Sequence, residues 1–191
     1  MNAISKCTLI YEYHCRELIY DDNTVCEGVC LFYRSSFTVR QLQLPHYRSS
    51  EIMAVSIHES GINLVIVVIY RPGSQQADTT FFEDFSDLGE RVAAMSAPVI
   101  MLGDINIHID DASLSSTSNF MDIVTSCGMQ QLVTGPTHRA GHTLDVVIVH
   151  NTTSATVVIE PPVISDHSVI TVTVDVVSAR ETSTVTVTKR D

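Results

Sequence analysis

Apolar residues recur along this chain in two periods, and the change of period divides it into elements. Gly28 to Tyr33 is a short apolar run that reads as a strand. Phe37 to Leu44 alternates, but its parity switches. Phe37 and Val39 share one face and Leu42 and Leu44 the other, so a bulge near Arg40 or Gln41 is expected. Ile52 to Ile57 is a further strand, with Met53, Val55 and Ile57 on one face. Leu64 to Tyr70 is apolar throughout, as a central strand covered on both faces would be. Arg71-Pro72-Gly73 stops it, because proline cannot donate to a ladder and glycine permits a turn.

From Asp78 to Met95 the period lengthens. Phe81, Phe82, Phe85, Leu88, Val92 and Met95 recur mostly at threes and fours, which predicts an amphipathic helix capped by Asp78 or Thr79 and ended by Ala97-Pro98. Val99 to Leu102 is a second central strand, running into Gly103-Asp104-Ile105-Asn106. Ser118 to Cys127 reads as a helix built on Phe120, Ile123 and Val124, with Gly128 just past its end. Leu144 to Val149 and Val169 to Val177 are strands. After Ser178 the chain is rich in Thr and Ser and reads as a polar tail or linker. Residues 1 to 25 have no clear period, and no internal repeat is present. Many strands with a few inserted helices predict an α/β fold in which sheet packs on sheet with helices outside.

Composition narrows this picture without redirecting it. A chain of 191 residues, 45% apolar and 17% charged, suits one globular domain. No stretch approaches the roughly 20 apolar residues of a membrane span. No clean signal-peptide core or cleavage site opens the chain, so an intracellular protein is expected. The five cysteines, Cys7, Cys15, Cys26, Cys30 and Cys127, are odd in number and scattered, which favours reduced structural residues over a metal site. The net charge of −11 argues against tight, metal-free binding to nucleic acid. It leaves room for phosphodiester chemistry in which a divalent cation carries positive charge into the site.

Four motifs carry candidate chemistry. After a buried strand, Asp104 and Asn106 pair a carboxylate with a carboxamide; if strand geometry persists they project to one face, about 7 Å apart. Alone, such a tetrad is more often a turn whose Asp and Asn bond their own backbone. Ser165-Asp166-His167 sets a histidine, able to act as base or phosphate-stabilising cation, beside a carboxylate able to hold metal or water; alone it is more often a capping trio. In His142-Thr143-Leu144-Asp145, Asp145 is placed to orient His167, or is simply a surface carboxylate at a strand start. Tyr70-Arg71-Pro72 offers a hydroxyl and a guanidinium to a phosphate, against the plainer reading of a buried Tyr and a solvated Arg. All four fall at strand ends, where α/β folds often place ligands.

In that order these motifs resemble domains of the endonuclease/exonuclease/phosphatase superfamily. Gly135-Pro136-Thr137-His138 with Gly141 to Asp145, Leu31-Phe32-Tyr33-Arg34 and Tyr70-Arg71-Pro72-Gly73 are similar to the endonucleases of non-LTR retrotransposons. The resemblance implies two packed, mostly antiparallel sheets flanked by helices, a four-layer α/β sandwich. It implies hydrolysis of a phosphodiester or phosphomonoester with Mg²⁺ or Mn²⁺, DNA as substrate, a nuclear site of action on genomic DNA, and a reverse transcriptase domain in the parent element. Carried over by position, Asp104 activates water or protonates the leaving group and shares metal with Asp166. Asn106 positions water and phosphate. His167, oriented by Asp145, contacts the phosphate, and so do Tyr70 and Arg71.

Domains of this family open with strands carrying an Asn and a metal-binding Glu. Neither is recognisable among the 27 residues before Gly28, and Glu51 lies beside a strand that matches a later part of the domain. The expected division is therefore 1–26 unmatched, 27–177 the later part of the domain and 178–191 a tail, with an incomplete N-terminus. Three functions follow: a metal-dependent nuclease, a non-catalytic retroelement remnant or incomplete gene product, and a phosphatase of small or lipid phosphates.

Overall fold

The computed structural model describes residues 10–11, 29, 31–33, 36–59, 61–74, 76–152, 154–163, 165–177 and 182–189. Two sheets form the body. The larger is assembled from β2 (Thr38–Gln41), β3 (Glu51–Glu59), β4 (Ile62–Tyr70), β5 (Val99–Asp104), β6 (Gln130–Gln131) and β7 (Asp145–His150), in the order β2-β3-β4-β5-β7-β6. The smaller has the order β1-β10-β9-β8, from β1 (Ile10–Tyr11), β8 (Ser154–Glu160), β9 (Val169–Val177) and β10 (Thr182–Lys189). Pairing is antiparallel except at β4–β5 and β1–β10.

The doubly apolar strands β4 and β5 are central because each face of the larger sheet meets a different apolar layer. Ile66, Val68, Ile100, Leu102 and Val147 pack against Ile170, Val172 and Val174 of β9. On the other face Val65, Val67, Ile69, Met101 and Ile148 pack beneath Phe81, Phe85, Leu88 and Val92 of α1 (Thr79–Ala93) and Phe120 and Val124 of α2 (Ser115–Ser126). The expected sheet-on-sheet arrangement with helices outside is present. Among the described residues the two helices lie on one outer side, giving a helix–sheet–sheet order.

Asp78 caps α1, its Oδ1 accepting the Phe81 amide at 3.0 Å. The helix ends at Ala93, close to the expected Met95. The start of α2 is earlier than its apolar period predicts, at Ser115, and its N-cap Leu114 makes no side-chain capping bond.

Three expectations need correction. The parity switch in Phe37 to Leu44 requires no bulge. Register runs unbroken from Thr38↔His58 to Gln41↔Val55, so Phe37 and Val39 enter the intersheet core while Leu42 and Leu44 enter the helix-side core. Ser154–Glu160 is a strand the pattern did not reveal. Ala155, Val157 and Ile159 face inward, but outward Val158, 57% exposed, masks the alternation. Thr182–Lys189, read as polar tail, pairs along β9 from Thr182↔Val177 to Lys189↔Ile170; its alternating Thr and Val supply a period of two. Of the Gly28 to Tyr33 run, Gly28 and Cys30 lie outside the described residues. Val29 packs into the intersheet core, whereas Phe32 and Tyr33 are exposed.

Candidate active site

The strand register sets the floor of the site. Tyr70 pairs with Asp104 across β4–β5, and Asp104 pairs with Asp145 across β5–β7. Residues directly opposite one another share a face, so the three polar side chains form one row at the end of the intersheet core. They continue the apolar columns of Val68, Leu102 and Val147. Glu51, opposite Tyr70 on β3, extends the row to a fourth strand. Asp104 is 2% exposed and Asp145 fully buried, as a row one residue beyond a sealed core would be.

His167 reaches this row from the loop before β9. Its Nδ1 lies 2.9 Å from Asp145 Oδ2, and its Nε2 lies 3.9 Å from Asp104 Oδ2. A fully buried carboxylate fixes the ring by accepting the Nδ1–H, which turns Nε2 toward Asp104. The structure thus brings Asp145 and His167, expected to act together, into direct contact.

Asn106 departs from the expected strand continuation. β5 ends at Asp104, and Asn106 adopts a left-handed backbone with φ of 49°. Its amide donates to Asp104 Oδ1 at 2.9 Å, and its Nδ2 donates to Asp104 Oδ2 at 3.0 Å and to the Arg71 carbonyl at 2.8 Å. The tight local turn and the site coincide, because one Asx turn locks both side chains together. Gly103 makes it possible. At φ of 148°, a Cβ there would stand 1.8 Å from the Ile69 carbonyl oxygen.

Arg71 is placed differently from the sequence expectation. It is 5% exposed; its Nε donates to the Ile105 carbonyl at 2.6 Å and its Nη2 to the Asn106 carbonyl at 2.7 Å. The guanidinium also covers the Phe81 ring at 5.5 Å. Burial lowers its pKa against the pull of Asp104, and its donors are placed as a clamp on the carbonyls of the 103–106 turn. Burial raises the pKa of the Tyr70 phenol, and Asp104 pushes it further up against Arg71, so Tyr70 is an O–H donor at neutral pH.

The rim is built from the loop between β6 and β7. Thr137, fully buried, accepts the amides of Leu144 at 3.0 Å and Asp145 at 3.1 Å on its Oγ1. Sequence reasoning gave Thr137 no role of its own; the resemblance of the Gly135–His138 stretch was its only signal. Asp166, 61% exposed, stands apart from the floor with His138 Nε2 3.4 Å from its Oδ2. Its pKa is lowered by its own backbone amide, against burial, and then by His138 and His167. On the other side Asp110 accepts the Thr143 amide at 2.8 Å and meets His142 Nδ1 at 3.1 Å.

Among the described residues, two groups of three bring one donor atom from each member within 4.8 Å of one another, Asp104–Asp145–His167 and His138–Asp166–His167. The carboxylates of Asp104 and Asp145 in the first group and of Asp166 in the second offer hard oxygens, a donor chemistry that fits a hydrated divalent cation. Among the described residues, no helix is long and apolar enough to cross a membrane.

The family model for the endonuclease/exonuclease/phosphatase family matches residues 9–167, reaching into the segment left unmatched by motif reading. No curated protein matches the sequence. Among solved structures, the fold is similar to the endonuclease domain of TRAS1, a telomere-specific non-LTR retrotransposon (TM-score 0.61, 16% identity, 76% of this chain and 70% of that one). It is also similar to the human nocturnin catalytic domain (TM-score 0.55, 16% identity, 83% and 67%). A third likeness is a family protein from Leptotrichia buccalis (TM-score 0.51, 16% identity, 79% and 66%). At these identities the likenesses speak for the fold, while the family model spans most of the chain. The protein therefore belongs to the endonuclease/exonuclease/phosphatase family, whose members are typically divalent-metal-dependent hydrolases.

Proposed function

We propose that this protein hydrolyses phosphodiester bonds in DNA with Mg²⁺ or Mn²⁺, as a nuclease of retroelement type acting in the nucleus beside a reverse transcriptase domain. The observation that carries the reading is the register row of Tyr70, Asp104 and Asp145 with His167 seated over it. Structural rows of this kind are normally apolar, and a row of buried acids meeting one histidine has no packing value. The likeness to the TRAS1 endonuclease domain is in keeping with an endonuclease.

In this reading Asp104 and Asp166 would hold the cation, which would supply positive charge to the phosphate. Asp104 takes the proton of the attacking water or returns one to the leaving oxygen. Asn106, its Nδ2 tied to Asp104 and the Arg71 carbonyl, has Oδ1 left to orient the water that attacks the phosphate. His167, fixed by Asp145, presents Nε2 to a phosphate oxygen, and Tyr70 donates its O–H. Arg71 acts at one remove, holding the turn.

Purified protein is incubated with supercoiled plasmid and Mg²⁺ or Mn²⁺, with Asp104→Ala as control. Nicking that exceeds the control is the expected result. Rates equal to the control would leave a non-catalytic remnant, and turnover of inositol phosphates without nicking would move the protein to the phosphatases.

A further inference from the structure

Among the rim features that the proposed roles do not use is the histidine beside Asp166. His138 sits in the loop between β6 and β7, with its Nε2 3.4 Å from Asp166 Oδ2 and its ring 5.0 Å from that of His167. By proximity alone it is a third ligand for a cation shared with Asp166 and His167. The hydrogen-bond network argues otherwise. Its Nδ1 accepts the Ala140 amide at 3.2 Å, so that nitrogen carries no proton. A neutral imidazole has one N–H, which therefore lies on Nε2, the nitrogen facing Asp166. A protonated nitrogen donates to a carboxylate and does not ligate a cation.

The backbone on either side of His138 holds it in place. The Arg139 amide donates to the Asp166 carbonyl at 2.7 Å, and the Ser168 amide donates to the Thr137 carbonyl at 2.7 Å. A β-bridge joins His138 to His167, and Arg139 Nη2 donates to the Ser165 carbonyl at 3.0 Å. The 137–139 strip is thus stitched along the 165–168 loop, and the Ala140 amide selects the ring's tautomer. Apart from its own backbone amide, the Asp166 carboxylate, 61% exposed, has His138 as the side chain placed to fix its direction.

We propose that His138 is a positioning residue, donating Nε2–H to Asp166 so that one carboxylate oxygen is held and the other is aimed at the cation. The role rests on the metal-dependent reading given above, and it adds to the Asp145–His167 pair a second histidine–carboxylate pair of opposite sense. In one the acid orients the histidine; in the other the histidine orients the acid.

Two measurements on the full chain test it without relying on catalysis. Long-range ¹H–¹⁵N correlation spectra of the histidine rings, with His138 assigned by its loss in His138→Gln, are expected to show Nε2–H and a bare Nδ1. A proton on Nδ1 would overturn the proposal. Mn²⁺ binding by calorimetry is expected to weaken about 10- to 100-fold in His138→Ala. It should stay within a few-fold of wild type in His138→Gln, whose amide N–H can replace the donor. Equal losses in both variants would mark His138 as a ligand, and unchanged binding in His138→Ala would mark it as a bystander; either result overturns the positioning role. Weakened Mn²⁺ binding in a protein that nicks no plasmid keeps the His138 role and removes the nuclease reading. Nicking with Mn²⁺ binding indifferent to His138 does the reverse.

Discussion

The floor and the rim of the site are built by different physics. Tyr70, Asp104 and Asp145 are placed by backbone register in three central strands whose flanking columns are sealed apolar cores. Asp166, His138, Asp110 and His142 are placed by hydrogen bonds between loops, and much of their surface meets water. A residue fixed by register is hard to move without unfolding its sheet. A residue fixed by a few hydrogen bonds can be re-aimed by one substitution. Removing a floor side chain should therefore remove chemistry, whereas altering its backbone should remove the fold. Altering the rim should tune cation and substrate binding.

The contrast can be broken most severely at Gly103. An alanine there would drive its Cβ against the Ile69 carbonyl, which also lies in the β4–β5 pairing. We expect a loss of about 3 kcal/mol or more in urea unfolding. A tolerated alanine would mean that this register is not what fixes Asp104.

Next in size is Arg71→Met. It deprives the carbonyls of Ile105 and Asn106 of donors, and the expected loss is about 2–4 kcal/mol in denaturant unfolding, with the turn loosened. An arginine serving a phosphate instead would leave stability unchanged and raise KM.

Thr137→Val sits where floor and rim meet. It removes the acceptor of two buried amides, one of them that of Asp145, at a cost of about 1–3 kcal/mol by the same measurement. A neutral effect would show that β7 holds Asp145 without help from the loop.

The smallest effect belongs to the rim's Asp110. Burial raises its pKa, but the Thr143 amide and His142 outweigh that and leave it lowered. A depressed carboxyl contributes stability above its unfolded value of about 3.9, and that contribution is lost as pH falls through the folded value. Asp110→Asn should cost a few tenths of a kcal/mol at pH 6 and less at pH 3. Equal effects at both values would deny the carboxylate any part in holding the loop.

The floor was more legible in the sequence than the rim. Asp104 and Asp145 adjoin apolar runs, so the chain itself announces that they sit at strand ends. The row they form depends on which strands neighbour one another, and no local pattern states that. Asn106 was found by type but placed wrongly, because a left-handed residue looks like a strand continuation until the turn is seen. Arg71 illustrates the opposite failure. A clamp and a phosphate arm have the same sequence, and only its burial against Phe81 and two carbonyls separates them. The early start of α2 was hidden because Ser115-Ser116-Thr117-Ser118 has weak helix propensity. The rim's key contacts join residues about 28 apart in sequence, such as His138 and Asp166, so no motif could contain them.

Asp145 and His167 are expected to act over Asp104 as one catalytic unit, and a double-mutant cycle on plasmid nicking with Mn²⁺ decides whether they do. Asp145→Ala, His167→Ala and the double variant are compared with wild type and with Asp104→Ala. Residues that act as a unit give strongly non-additive losses, so each single variant should fall about a thousandfold and the double variant little further. Losses that simply multiply, or a wild-type rate no higher than that of Asp104→Ala, would contradict the account.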